Sequence, residues 1–126
     1  MDEIFDSKSY FDTIYARPIM LETKNLSQIF QHGKTERVVL NNINLSIHKR
    51  EFICVIGPSG CGKSTLSRVV AGLDDFHSGE VRVEGQKIQG PSSERGMVFQ
   101  GYTLFPWKTV KENVMFGPLM KGVSPT

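Results

Sequence analysis

The run Gly57-Pro58-Ser59-Gly60-Cys61-Gly62-Lys63-Ser64-Thr65 has the residue types and the spacing to hold a polyphosphate. It reads Gly, four residues, Gly-Lys-Ser/Thr. Its glycines let the backbone curl until successive N–H groups face one hollow. A helix starting there adds unpaired N-terminal donors and a partial positive charge. Lys63 would reach the β- and γ-phosphates, and the Ser64 hydroxyl would serve Mg²⁺. The backbone N–H groups of Gly60, Gly62, Lys63 and Ser64 would cradle the phosphates. Cys61 reads as a small side chain at a variable loop position rather than a redox centre. The segment is built for a nucleoside triphosphate.

Such a loop must sit between a strand and a helix, and the flanks supply both. Phe52-Ile53-Cys54-Val55-Ile56 is a short apolar run rich in β-branched residues, which predicts a buried strand. Leu66, Val69, Val70 and Leu73 fall at i, i+3, i+4 and i+7, one helical face, with Gly72 suited to a left-handed cap. Upstream, strands are expected over 19–26 and 26–30, then a polar turn at Gln31-His32-Gly33-Lys34. Apolar residues at 43, 45 and 47 have the period of a half-buried strand. Glu80-Val81-Arg82-Val83, Glu84-Gly85 and Gln86-Lys87-Ile88 read as a hairpin. Met97-Val98-Phe99 predicts a further buried strand, and Val110, Val114 and Met115 begin a helix that Gly117-Pro118 should cut short. Residues 1–18 read as a loosely ordered extension, with a weak helical pattern at Ile4, Phe5, Phe11, Ile14 and Tyr15 closed by Pro18.

Composition narrows the class. At 126 residues, 39% hydrophobic and 22% charged, the chain suits one ordinary soluble domain. A net charge of +2 without a basic run gives no reason to expect nucleic acid. No apolar stretch nears the roughly 20 residues that span a bilayer. The start, Met1-Asp2-Glu3, lacks the pattern of a secretory signal. Two cysteines, Cys54 and Cys61, do not make a disulfide framework, so a reducing cytosol is expected.

Beyond the loop, Ala71-Gly72-Leu73, Ser78-Gly79-Glu80-Val81 and Val98-Phe99-Gln100 follow in order. With them residues 19–126 resemble the N-terminal half of the ATP-binding domain of ATP-binding-cassette transporters. The resemblance implies an α/β P-loop NTPase fold: an antiparallel β subdomain plus the first part of a parallel-sheet core, stopping before the helical subdomain. It implies ATP and Mg²⁺ as ligands, with Thr65 on the α-phosphate, Ser64 and Gln100 on the metal, and Lys63 neutralising charge in phosphoryl transfer. Gln100 matches the family's glutamine loop, and Phe30 matches its adenine-stacking aromatic. Membrane-spanning permease subunits would dock on the segment around Leu104-Phe105-Pro106-Trp107, placing the protein on the cytoplasmic face of the membrane. A second ATP-binding subunit would pair head to tail in a complete protein. Gly90-Pro91-Ser92-Ser93-Glu94-Arg95-Gly96-Met97-Val98-Phe99-Gln100, then Leu104-Phe105-Pro106-Trp107 and Asn113-Val114-Met115-Phe116-Gly117, resemble importers of nitrate, sulfonates, taurine and related small solutes.

Two departures from the family pattern stand out. Arg50 precedes Glu51 where a glycine is usual, so a turn with φ > 0 would be strained there. The family's Leu-Ser-Gly-Gly-Gln signature, the Asp-Glu that ends a later strand and the switch histidine are not among these residues. His32, His48 and His77 precede the glutamine loop and read as surface or turn residues. Three readings follow: part of an importer's ATPase, a Mg-ATP-binding module without turnover, or an inactive fragment. Small kinases and GTPases share the loop but give no reason for the later segments.

Overall fold

The computed structural model describes residues 6–124, so Ile4 and Phe5 of the N-terminal pattern lie outside the described residues. The chain divides into two compact units, Met1–Gly96 and Met97–Thr126.

The first unit is built on an antiparallel sheet in the order β2-β1-β3-β4. β1 (Ile19–His32) and β2 (Thr35–His48) form a long hairpin that pairs His32 with Thr35 across Gly33-Lys34. Both strands bulge at asparagines with positive φ, Asn25 (49°) and Asn42 (53°). Asparagine tolerates that region better than other side-chain-bearing residues. Side chains from the facing strand lock each bulge: Asn25 N–H donates to Asn44 Oδ1 at 2.9 Å, and Asn42 N–H to Ser27 Oγ at 2.9 Å. β3 (Ser78–Val83) pairs with β1, and β4 (Gln86–Lys87) returns from it through Glu84-Gly85, both at positive φ. That is the twist a two-residue hairpin turn needs.

The Ser-Gly-Glu segment has a steric reason. A Cβ on Gly79 would collide with the Asn25 carbonyl of β1, and φ there is +99°. Only glycine lets β3 enter the sheet so close to the bulge.

α2 (Lys63–Ala71) lays Leu66 and Val69 on this sheet, against Leu26, Leu40 and Val81, with Ile43, Phe76 and Ile88 around them. Each fully buried aliphatic there contributes roughly 2 kcal/mol. Gly72 ends α2 in the left-handed conformation, φ 78°, its N–H donating to the Val69 carbonyl and that of Leu73 to Arg68. Leu73, counted with the apolar face, lies beyond this cap and is exposed. Arg68 then grips Asp74 with two bonds of 2.6 Å.

Where the sequence suggests a loose extension, α1 (Ser7–Tyr15) forms, capped by the Asp6 carboxylate accepting from Lys8 N–H. Its buried residue is Ile14, and Tyr15 sets its ring edge-on to His48 at 5.3 Å. His48, expected at the surface, is instead tucked between Tyr15 and Glu51, its Nδ1 3.4 Å from the Glu51 carboxylate.

The expected strand 52–56 is a correction. The segment is not in a strand, Phe52 and Ile56 are 87% and 89% exposed, and Cys54 is exposed too. A strand needs a hydrogen-bonded neighbour, and the sheet of the described residues offers none beside it. Apolar composition alone does not make a ladder.

In the second unit Met97-Val98-Phe99 departs in the same way, with Val98 97% exposed and no strand formed. α3 (Val110–Met120) begins at a capping box in which Thr109 and Glu112 satisfy each other's backbone N–H groups. Asn113 ties the preceding loop to it, accepting from Phe105 N–H at 2.8 Å and donating back to the Phe105 carbonyl at 3.2 Å. Gly117-Pro118 does not end this helix, which runs on to Met120. Proline's fixed φ is helical, and in the last turn it forfeits one bond only.

Candidate functional site

The phosphate loop links residue 56 to α2, and two left-handed glycines shape it, Gly60 at φ 76° and Gly62 at φ 109°. Gly62 is also the N-cap of α2. The first intrahelical bond runs from Leu66 N–H to the Gly62 carbonyl at 2.9 Å. The N–H groups of Lys63, Ser64 and Thr65 therefore precede the helical ladder and have no acceptor within it. The arrangement is a set of unpaired donors at a positive helix end.

Lys63 folds back over the loop. Its Nζ donates to the carbonyls of Gly57 (2.6 Å) and Pro58 (2.7 Å) and approaches Cys61 Sγ at 3.6 Å. No carboxylate pairs with it among the described residues. The ammonium is thus held by loop carbonyls with no carboxylate against it, and an anionic oxygen would exchange most readily with the sulfur, the weakest of the three acceptors. A Cβ on Gly57 would lie 2.8 Å from that sulfur, which explains a glycine at the loop's entry. Pro58, Ser59 and Cys61 are exposed along the loop, and Ser64 is exposed in the first turn of α2. Thr65 is half-buried behind it.

β2 braces the loop from below. A Cβ on Gly62 would meet the Val39 carbonyl at 2.8 Å, so α2 begins almost in contact with the strand. Two residues earlier, Arg37 Nη2 donates to the Gly60 carbonyl at 3.2 Å. Arg37 faces Phe30 in the β1–β2 register, and the Phe30 ring is 44% exposed. The first unit thus brings together the glycine-rich loop and an aromatic-bearing hairpin joined to it through Arg37. Sequence reasoning missed Arg37. The usable signal was the hairpin itself, since a turn at Gly33-Lys34 puts residue 37 opposite residue 30.

Gln100 lies in the second unit, exposed at a bend. There the aromatic segment divides. Phe105 is half-buried, packed on Phe116 at 4.7 Å, whereas Leu104 and Trp107 are 71% and 75% exposed. Trp107 keeps contact with Phe105 at 5.3 Å between ring centroids. Among the described residues no group of three or more His, Cys, Asp or Glu is placed to hold a metal ion.

Comparison with known proteins agrees with this geometry. The family model described as ABC transporter matches residues 40–124. A nitrate import ATP-binding protein of Synechocystis is 50% identical over 104 residues, 82% of this chain and 39% of the relative. A taurine import ATP-binding protein of Roseobacter denitrificans is 48% identical over 103 residues, 81% and 38% of the two chains. Among solved structures, a dimeric ATP-binding cassette in a post-hydrolysis state bound to ADP and Pi superposes with a TM-score of 0.74 at 31% identity, over 85% of this chain and 50% of that one. The chain therefore spans about two fifths of the length of these curated relatives.

Proposed function

This chain belongs to the ABC transporter family, and from that membership we propose that it is the nucleotide-gripping part of an importer's ATP-binding subunit. The observation that carries the proposal is the Lys63 ammonium held by the Gly57 and Pro58 carbonyls of a loop that ends on the free donors of a helix start. In this reading the loop from Gly57 to Thr65 takes the phosphates of ATP, with Lys63 on the β- and γ-phosphates and Thr65 on the α-phosphate. Ser64 would hold Mg²⁺ through its hydroxyl, Gln100 is the amide ligand proposed for the metal in the whole subunit, and the ion would supply positive charge against that of the phosphates. Phe30 stacks on adenine. A flat ring gives affinity with little base discrimination, as base–aromatic stacking does elsewhere.

Hydrolysis coupled to solute import is the activity proposed for the whole subunit. The import names of the relatives favour nitrate, sulfonates or taurine as the solute class. Exposed Leu104 and Trp107 suit a contact with membrane-spanning permease subunits, on the cytoplasmic face of the membrane. No helix among the described residues is long and apolar enough to cross a membrane. A second cassette would pair head to tail with the complete subunit.

A second reading for these residues by themselves is a module that holds Mg-ATP without turning it over. Competition binding tests the main proposal. ATP should displace a fluorescent ATP analogue far better than AMP, because the loop reads the β- and γ-phosphates; equal competition by AMP contradicts it. Phosphate release under saturating ATP separates the two readings.

A further inference from the structure

The peptide joining Gly60 to Cys61 is clamped at both ends. Its N–H, on Cys61, donates to the Pro58 carbonyl at 3.4 Å, and its carbonyl, on Gly60, accepts from Arg37 Nη2 at 3.2 Å. The orientation of this plane matters for an anion. A carbonyl turned into a ring of N–H donors would present negative charge to the phosphate and spoil the hollow. Gly60 has φ 76°, a region glycine shares readily with others, so its backbone preference alone does not fix the orientation of this peptide. Arg37 holds its carbonyl end, as the Pro58 carbonyl holds its N–H end.

The guanidinium brings more than one bond. Arg37 is exposed and forms no ion pair among the described residues, so a full positive charge with unused N–H donors stands beside the loop. It comes from β2 directly opposite Phe30.

We propose that Arg37 is a positioning residue of the nucleotide site, holding the Gly60 carbonyl out of the phosphate hollow and adding cationic charge beside it. This rests on the reading of the loop as the phosphate site. Arg37 acts on the polyphosphate and leaves the adenine contact of Phe30 untouched.

The test uses the 126-residue chain and its Arg37→Ala and Arg37→Lys variants, with a fluorescent ATP analogue displaced by Mg-ATP, tripolyphosphate or adenosine. A charge-assisted hydrogen bond of about 1.5–3 kcal/mol converts to a loss of about tenfold or more. Arg37→Ala should weaken Mg-ATP and tripolyphosphate by that factor, leave adenosine unchanged, and shift the ¹³C carbonyl resonance of Gly60 before any ligand is added. Arg37→Lys should recover part of the affinity, since it restores the charge without the fork. Wild-type affinity in Arg37→Ala overturns the proposal. So does parallel loss of adenosine, which would make Arg37 a strut of the hairpin. If the wild-type chain binds no nucleotide, the phosphate-site reading fails and takes this inference with it. Binding by wild type and Arg37→Ala alike sinks the inference alone.

Discussion

Gly62 lies so close to Val39 that a methyl group on its Cα would stand 2.8 Å from the Val39 carbonyl oxygen. This contact sets how near the phosphate loop comes to the antiparallel sheet. Gly62→Ala meets both that clash and a φ of 109°, so it should cost about 2 kcal/mol or more. Gly60→Ala has its nearest neighbour 3.9 Å away and should lose only the left-handed penalty, about 1 kcal/mol. Urea unfolding of both variants checks the order; equal losses would contradict the close approach.

Arg50 sits at φ 61° between β2 and the extended segment before the loop. Its side chain is exposed, so glycine removes strain without removing packing. Arg50→Gly should raise stability by about 0.5–1 kcal/mol, the left-handed penalty less the added freedom of the unfolded chain. A thermal midpoint that stays put or falls would contradict the assignment.

The Arg68 guanidinium, through its two hydrogen bonds, holds the Asp74 carboxyl below its ordinary pKa of 3.8. A carboxylate lowered on folding stabilises the fold above its unfolded pKa, and that contribution fades as pH falls through the lower folded value. The stability gap between wild type and Asp74→Asn should therefore be constant from neutral pH to about pH 5 and narrow below about pH 4. Glu80, lowered by Lys87 and Arg82, follows the same sign. A gap that widens in acid would contradict the pairing.

Phe105 and Trp107 divide the work of the aromatic segment. Phe105 packs on Phe116 and Trp107, and Trp107 is the single tryptophan of the chain. Phe105→Ala should destabilise the second unit and red-shift tryptophan emission, because the indole loses its neighbour. Trp107→Ala, starting 75% exposed, should change stability by less than about 0.5 kcal/mol. The opposite ranking would make Trp107 the packing residue.

What the sequence disclosed was local. The loop, the cap at Gly72, the hairpin at Glu84-Gly85 and the left-handed turn at Arg50 each depend on a few adjacent residues. Segments 52–56 and 97–99 were misread as strands because a ladder depends on a partner, which apolar spelling cannot supply. Pro118 misled because its effect depends on its place in the helix. Arg37 stayed hidden because 23 residues separate it from Gly60, and the two meet only where the start of α2 comes down on β2 at Val39. Phe105 and Trp107 could not be told apart without the ring geometry.

The central claim is that the Lys63 loop grips the phosphates of ATP. Calorimetric titration of Mg-ATP into the wild-type chain and into Lys63→Ala, with circular dichroism confirming that both are folded, tests it most directly. The expected result is saturable one-site binding by wild type and a loss of about a hundredfold or more in Lys63→Ala, since removing a charged partner of phosphate costs about 3 kcal/mol. Equal binding by the two proteins, or a folded wild-type chain that binds no nucleotide, would contradict it.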